Sequence, residues 1–174
     1  MTPTSSNSAA HGGGGRASPV LVPFKPVWLE PCRSLLQGLP EWFESSAVAG
    51  YAADLGRFPS WVASLPSASP DGAGAVGCVS VTAPQPAAFE IHLLAVAREH
   101  HRQGIGSLLL EIAERWARRC GARFLQVKTT GPSSPDPKFA STRAFYEARG
   151  FTPLFESDRL WGPENPALVL VKAL

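Results

Sequence analysis

Hydrophobic positions recur along this chain with two different periods, and their alternation predicts the order of elements. Phe43, Ala47, Tyr51 and Leu55 return every four residues, one face of a helix starting near Leu39-Pro40-Glu41 and ending at Gly56. Trp61-Val62-Ala63 and Ala75 to Thr82 read as strands joined by a loop with the turn sequence Pro70-Asp71-Gly72. Phe89 to Ala97 is a further apolar strand. Leu109, Ile112, Ala113, Trp116 and Cys120 mark a strongly amphipathic helix closed by Gly121. Its outer face sets Glu111 against Arg115 and Glu114 against Arg118 at i,i+4 spacing. Phe124 to Thr129 is a strand, and Asp136-Pro137 caps a helix running to Arg149, with Gly150 at its end. Phe151 to Glu156 and Ala167 to Val171 are strands around the turn-rich Gly162-Pro163-Glu164-Asn165-Pro166. Helices alternating with strands predict an α/β sandwich around one mixed sheet.

Composition changes the picture at the start of the chain. Residues 1–19 are dominated by Ser, Thr, Ala and Gly, and no acid occurs before Glu30. Such a segment cannot repay its ordering entropy, so residues 1–26 are expected to be a disordered tail and residues 27–174 one folded domain. A transit peptide is the sharper alternative for that opening. With 44% hydrophobic and 17% charged residues the chain can bury a core. No apolar run approaches the roughly 18 residues of a membrane helix, and no apolar signal segment opens the chain. A net charge of +2 gives no footprint for nucleic acid. Cys32, Cys78 and Cys120, odd in number and far apart, read as free thiols in a reducing cytoplasm.

The chemistry concentrates in one stretch, Glu90 to Leu110, where a strand ends, a basic and Gly-containing loop follows, and a helix begins. Glycines let backbone approach a ligand closely, and helix-start amides with the dipole behind them form an anion site. Arg102 and Gln103 before the glycines and Ser107 after them favour a phosphate. A dinucleotide fingerprint is excluded because Leu109 stands where its third Gly belongs, and a triphosphate loop because Gly-Lys-Ser/Thr is absent. His100 and His101 are adjacent and no Cys-x-x-Cys exists, so no metal is expected. Those two histidines are expected to be solvated loop residues flanking the anion site. Between residues 98 and 128 seven basic residues face three acids, an excess expected to surround that site.

His101-Arg102-Gln103-Gly104-Ile105-Gly106 resembles the acyl-CoA motif of the GNAT (general-control-related N-acetyltransferase) superfamily, with His in place of the family's first Arg or Gln. Ala144-Phe145-Tyr146-Glu147-Ala148-Arg149-Gly150-Phe151 is similar to the family's second signature, about forty residues on. Phe139 stands where many members carry an Asn. The resemblance implies a three-layer sandwich, a mixed central sheet with helices on both faces. It also implies direct acetyl transfer from acetyl-CoA, the co-substrate, to an amine, without a metal.

The cofactor-binding set it implies comprises Leu94, Ala95 and Val96 along the pantetheine arm, and His101, Arg102, Gln103, Gly104, Ile105, Gly106 and Ser107 around the pyrophosphate. The Leu94 amide is expected to meet the oxyanion. Glu90 matches the position of a general-base glutamate in histone-acetylating relatives, and strand alternation puts Glu90, His92 and Leu94 on one face. His92 is expected to share the base role, orient the amine or serve structure alone. Tyr146 matches the family's acid for the departing thiolate. A cysteine nucleophile is discounted, since Cys78 and Cys120 sit at apolar positions and Cys32 lacks a base.

Trp42, Phe43, Tyr51 and Trp61 are either core or the lining of an acceptor cleft, and Glu41, Glu44 and Asp54 either a solvated face or a lure for a cation. Trp161, Glu164 and Asn165 shape the pocket or a homodimer contact. A small-molecule or amino-acid-like amine is the expected partner, with no nucleic acid and no membrane. A protein Lys or N-terminus is the alternative acceptor, and a non-catalytic acyl-CoA sensor on the same fold the alternative function.

Overall fold

The chain builds one seven-stranded sheet, seen here in a computed structural model that describes residues 18–65, 74–134 and 136–174. The elements run β1 (Val20–Pro23), α1 (Leu29–Gln37), α2 (Ser45–Arg57), β2 (Ser60–Ser64), β3 (Ala75–Gln85), β4 (Ala88–Val96), α3 (Ile105–Arg119), β5 (Phe124–Thr130), α4 (Ala140–Glu147), β6 (Thr152–Ser157) and β7 (Ala167–Ala173). Strand order is β1-β2-β3-β4-β5-β7-β6. Among the described residues only β4 and β5 pair parallel, joined by the α3 crossover, so the sheet is mixed as expected.

Two apolar clusters cover the two faces. On one, Leu109, Leu110, Ala113 and Ala117 of α3 and Tyr146 of α4 pack on Val79, Val81, Ile91, Leu125 and Leu170. On the other, Cys32, Leu35 and Leu36 of α1 and Val48 and Leu55 of α2 pack on Val62, Cys78, Leu93 and Ala95. Close fit is visible at Gly77, where an added Cβ would lie 2.9 Å from Leu109 Cδ1 and 3.0 Å from the Ala95 carbonyl oxygen. Among the described residues no helix is long and apolar enough to cross a membrane.

Three expectations change. The fold takes up the chain before Val27, because Val20–Pro23 is ordered by antiparallel pairing with Trp61–Ser64. Residues 1–17 and the turn at Pro70-Asp71-Gly72 lie outside the described residues. Leu39-Pro40-Glu41 does not open a helix: α2 begins at Ser45, and the segment before it is a turn in which the Trp42 and Phe43 amides both donate to the Leu39 carbonyl. On α3, Glu114 reaches Arg118 only at 3.9 Å and takes its close partner, Lys172 at 2.6 Å, from β7.

Leu109 is fully buried between α3 and the sheet. Leu109→Ala is expected to cost roughly 2–5 kcal/mol in urea unfolding at an unchanged m-value.

Candidate functional site

β4 and β5 pair only from Ala88 to Ile91 and from Phe124 to Val127, then part. Each stays held on its other side, β4 by β3 up to Val96 and β5 by β7 along its whole length. The Ala97 amide donates to the Val76 carbonyl, so by alternation the main-chain groups of Ala95 point to β3 and those of Leu94 and Val96 point into the opening. A cavity of about 430 Å³ fills this region, lined by Leu39, Trp42 and Phe43, by Leu94–Val96, by His100, His101, Arg102, Gly104 and Gly106, and by Ser141, Thr142, Phe145, Tyr146 and Arg149 of the α4 region.

The loop before α3 is shaped for an anion. Arg102 and Gly104 have positive φ, 58° and 84°, and Gly104 caps the helix. The first intrahelical bond runs from the Leu108 amide to the Gly104 carbonyl, so the amides from Arg102 to Ser107 have no acceptor among the described residues. Free amides at a helix start, next to a cavity, suit phosphate oxygens. Gly106 is needed for close approach, since a Cβ there would lie 3.1 Å from the Phe145 ring. The Gln103 side chain instead donates to the Glu99 carbonyl, bracing the loop.

Both histidines of the loop line the cavity beside the anion loop. His101 Nε2 lies 2.8 Å from the Val96 carbonyl oxygen, and its ring meets Trp42 edge-on at 5.8 Å. Trp42 also lies under Arg98, whose guanidinium binds Glu41 and holds that carboxyl below the usual carboxylate range. The turn at residues 39–43 is thereby clasped to the anion loop.

The basic excess between residues 98 and 128 does not converge on the anion loop. Arg98 is paired with Glu41 and Lys128 with Glu90. Arg115, Arg118 and Arg119 sit roughly 12 Å or more along α3 from its first turn. Arg102 alone of the seven lines the cavity. A second cation lines the cavity, Arg149, to which the sequence alone assigns only a place at a helix end. Its guanidinium lies 3.8 Å from the Phe145 ring centroid and donates to Ser107 Oγ at 2.5 and 3.1 Å and to the Phe145 carbonyl. A basic residue just before Gly150 was the available signal.

Glu90 does not line the cavity, and both its carboxylate oxygens are engaged. Lys128 Nζ donates to them at 2.5 and 2.7 Å, and the Gln126 amide donates at 2.7 Å. The structure thus sets the expected base in an ion pair with Lys128, outside the cavity lining. The shared face holds for Glu90, which alternates with Phe89 and Ile91 of the α3 cluster, and His92, which reaches α2, and fails for Leu94. Ser80 pairs with Leu93 but Val81 with Ile91, so His92 is an extra residue in β4, a bulge that reverses alternation. Leu93 and Ala95 join the α1–α2 cluster, while Leu94 packs with the α3 cluster. His92 turns to α2, where its Nε2 lies 2.9 Å from Asp54 Oδ2 between the rings of Tyr51 and Phe58.

Tyr146 does line the cavity, with its residue only 5% exposed. Burial pushes its phenol far above the ordinary value, so it remains a proton donor across the neutral range. Ser141 and Thr142 face the cavity one turn before it and offer hydroxyls near Phe139, where the family's Asn is absent. The Cys78 thiol, wholly buried, is raised by its hydrogen bond with Cys32 and by burial, which keeps it an inert thiol. Trp161, which is exposed, and Glu164 do not line the cavity, while Asn165 Oδ1 accepts from Thr130 Oγ1. Among the described residues no three His, Cys, Asp or Glu side chains converge as metal ligands.

A family description of the acetyltransferase (GNAT) domain matches residues 60–153, more than half of the chain. The chain belongs to the GNAT acetyltransferase family. Curated proteins give no sequence match. Many solved structures share the fold. One is the NatC complex bound to Gag peptide and CoA, with 20% identity, a TM-score of 0.71, and 90% of this chain and 99% of that one covered. Another is the ribosomal-protein-S18-alanine N-acetyltransferase from Escherichia coli, with 16% identity, a TM-score of 0.68 and coverage of 89% and 93%. A third, aminoglycoside 6'-N-acetyltransferase complexed with coenzyme A, has 17% identity, a TM-score of 0.65 and coverage of 88% and 96%. At these identities the likeness is one of fold. The GNAT sandwich is thus established, and the acceptor type differs among proteins that share it.

The chain has two tyrosines, and burial raises both phenols, Tyr51 with a smaller contribution from the nearby Asp54 charge. The unfolded chain releases these protons first, so stability falls as pH rises above about 10. At pH 10.5 the native protein is expected to show far less tyrosinate absorbance than the same protein in denaturant.

Proposed function

We propose that this protein transfers an acetyl group from acetyl-CoA to the primary amine of a small-molecule or amino-acid-like acceptor, in a ternary complex. One observation carries the reading: the opening between β4 and β5 is bordered by free amides at the start of α3 and by the buried Tyr146. The pyrophosphate lies on the amides from Arg102 to Ser107, with Arg102 and Arg149 supplying charge. His101 and Ile105 shape that loop from either side of the glycine turn. The pantetheine arm runs along Leu94, Ala95 and Val96 and hydrogen-bonds the main-chain groups that β5 leaves free.

The Leu94 amide then points at the thioester and stabilises the oxyanion as the amine adds. Tyr146 hands its proton to the departing thiolate. A phenol is already protonated at neutral pH, so Tyr146 reaches the step carrying the proton it is to give. Direct transfer is favoured over an acyl-enzyme because the wholly buried thiols, Cys32 and Cys78, are hydrogen-bonded to one another. The free thiols suit a reducing compartment, in keeping with a cytoplasmic enzyme.

Thiol release from acetyl-CoA, measured against a panel of amines and short peptides, tests the reaction. Small amines are expected to give turnover; tight CoA binding with no acceptor-dependent thiol would instead identify a sensor. Tyr146→Phe should lower kcat on the order of 100-fold with little change in acetyl-CoA affinity. Arg149→Ala should act the other way, raising the acetyl-CoA Kd about tenfold while kcat at saturation holds.

A further inference from the structure

Resting on that path for the pantetheine arm, we infer that His101 is a displaceable plug. Its imidazole holds the Val96 carbonyl that the arm needs, and acyl-CoA binds by pushing the ring aside. The 2.8 Å contact from Nε2 to the Val96 oxygen shows that this carbonyl looks into the opening. Gln103, two residues on, behaves differently. Its side chain donates to the Glu99 carbonyl within the loop, whereas His101 reaches back to a main-chain group of β4 that lines the cavity.

An imidazole N–H and an amide N–H are donors of the same kind, so the ring stands where a pantetheine amide would donate. A carbonyl oxygen has a second lone pair, which does not relieve the crowding. A ring bonded at 2.8 Å to an oxygen that points into the opening itself lies in the opening, on the strip of β4 along which an extended arm runs.

The ring is lightly held. Among the described residues it has this one hydrogen bond and one aromatic neighbour, Trp42, met edge-on at 74° with centroids 5.8 Å apart. The residue is exposed, so another rotamer is open to it. An exposed hydrogen bond contributes little net stability, so the plug lowers affinity for acyl-CoA by a small factor and does not block it. Trp42 is held independently, by Arg98 at 5.8 Å from its ring, and Arg98 is bound by Glu41. It therefore stays in the cavity wall when His101 leaves, and its indole registers the departure.

Two ligands separate the plug from the anion loop: CoA, and 3'-phospho-ADP, which carries the pyrophosphate without the arm. In the full chain, His101→Ala is expected to lower the ratio of the CoA Kd to the 3'-phospho-ADP Kd about fivefold. Because both ligands use the anion loop, general loosening of that loop cancels in the ratio. A second measurement leaves His101 in place. In the wild-type chain with nitrogen-15-labelled tryptophan, the Trp42 indole signal, assigned by its loss in Trp42→Phe, should move with CoA and stay with 3'-phospho-ADP. A ratio that holds or rises in His101→Ala overturns the plug, and so does an indole signal that ignores CoA or moves as far with 3'-phospho-ADP. In each of those cases the acetyl-transfer reading stands. A wild-type chain that binds neither ligand overturns that reading and the plug with it.

Discussion

The parting of β4 from β5 after Ile91 and Val127 is the constraint on which the rest of the molecule depends. Backbone amides and carbonyls inside a protein need partners, so two central strands do not separate without support. Each is anchored on its outer side, β4 through the long β3 and β5 through β7 from Phe124 to Thr130. The opening is therefore a property of the sheet and does not depend on a mobile loop. It leaves a row of main-chain groups on Leu94 and Val96 suited to an extended, amide-bearing ligand, and the ring of His101 meets the last of them.

The helices convert that opening into a site with direction. α3 starts where β4 ends, so its free amides face the same space, and Gly77 lets Leu109 settle the helix against β3 and β4. α4 closes the β5 side and brings Phe145, Tyr146 and Arg149 to the cavity. The two sides touch where Arg149, flat on Phe145, donates to Ser107 in the first turn of α3. A planar guanidinium suits that double duty of stacking and forked donation in a way a lysine would not.

Most of this was legible where one segment decides its own structure. Period-2 and period-3.6 patterns located β2 to β7, α3 and α4 to within a few residues, and glycine spacing located the anion loop. What stayed hidden depends on distant partners. β1 is four residues, exposed at both ends and closing on Pro23, and pairing with Trp61–Ser64 makes it a strand. α1 carries Pro31 in its first turn, where proline is tolerated, so its apolar face of Cys32, Leu35 and Leu36 was not recognised as a helix. The bulge at His92 is a register between two strands and has no signature in either alone.

The two carboxylates near the apex show why residue type was a weaker guide to role than neighbourhood. Glu90 occupies the position that the family pattern favours, yet Lys128 and Gln126 on the adjoining strand saturate it. Reaching across the last paired rung, from Glu90 just before it to Lys128 just past it, that ion pair ties β4 to β5 on one face. Asp54 looked like one acid on a solvated helix face, yet its only close partner among the described residues is an imidazole. A carboxylate facing an ammonium neutralises charge, whereas one facing a neutral imidazole sets a tautomer and makes a lone pair available. The role of each acid thus follows from which partner it meets, and that is decided by the register of β5 against β4 and by the seating of α2 on the sheet.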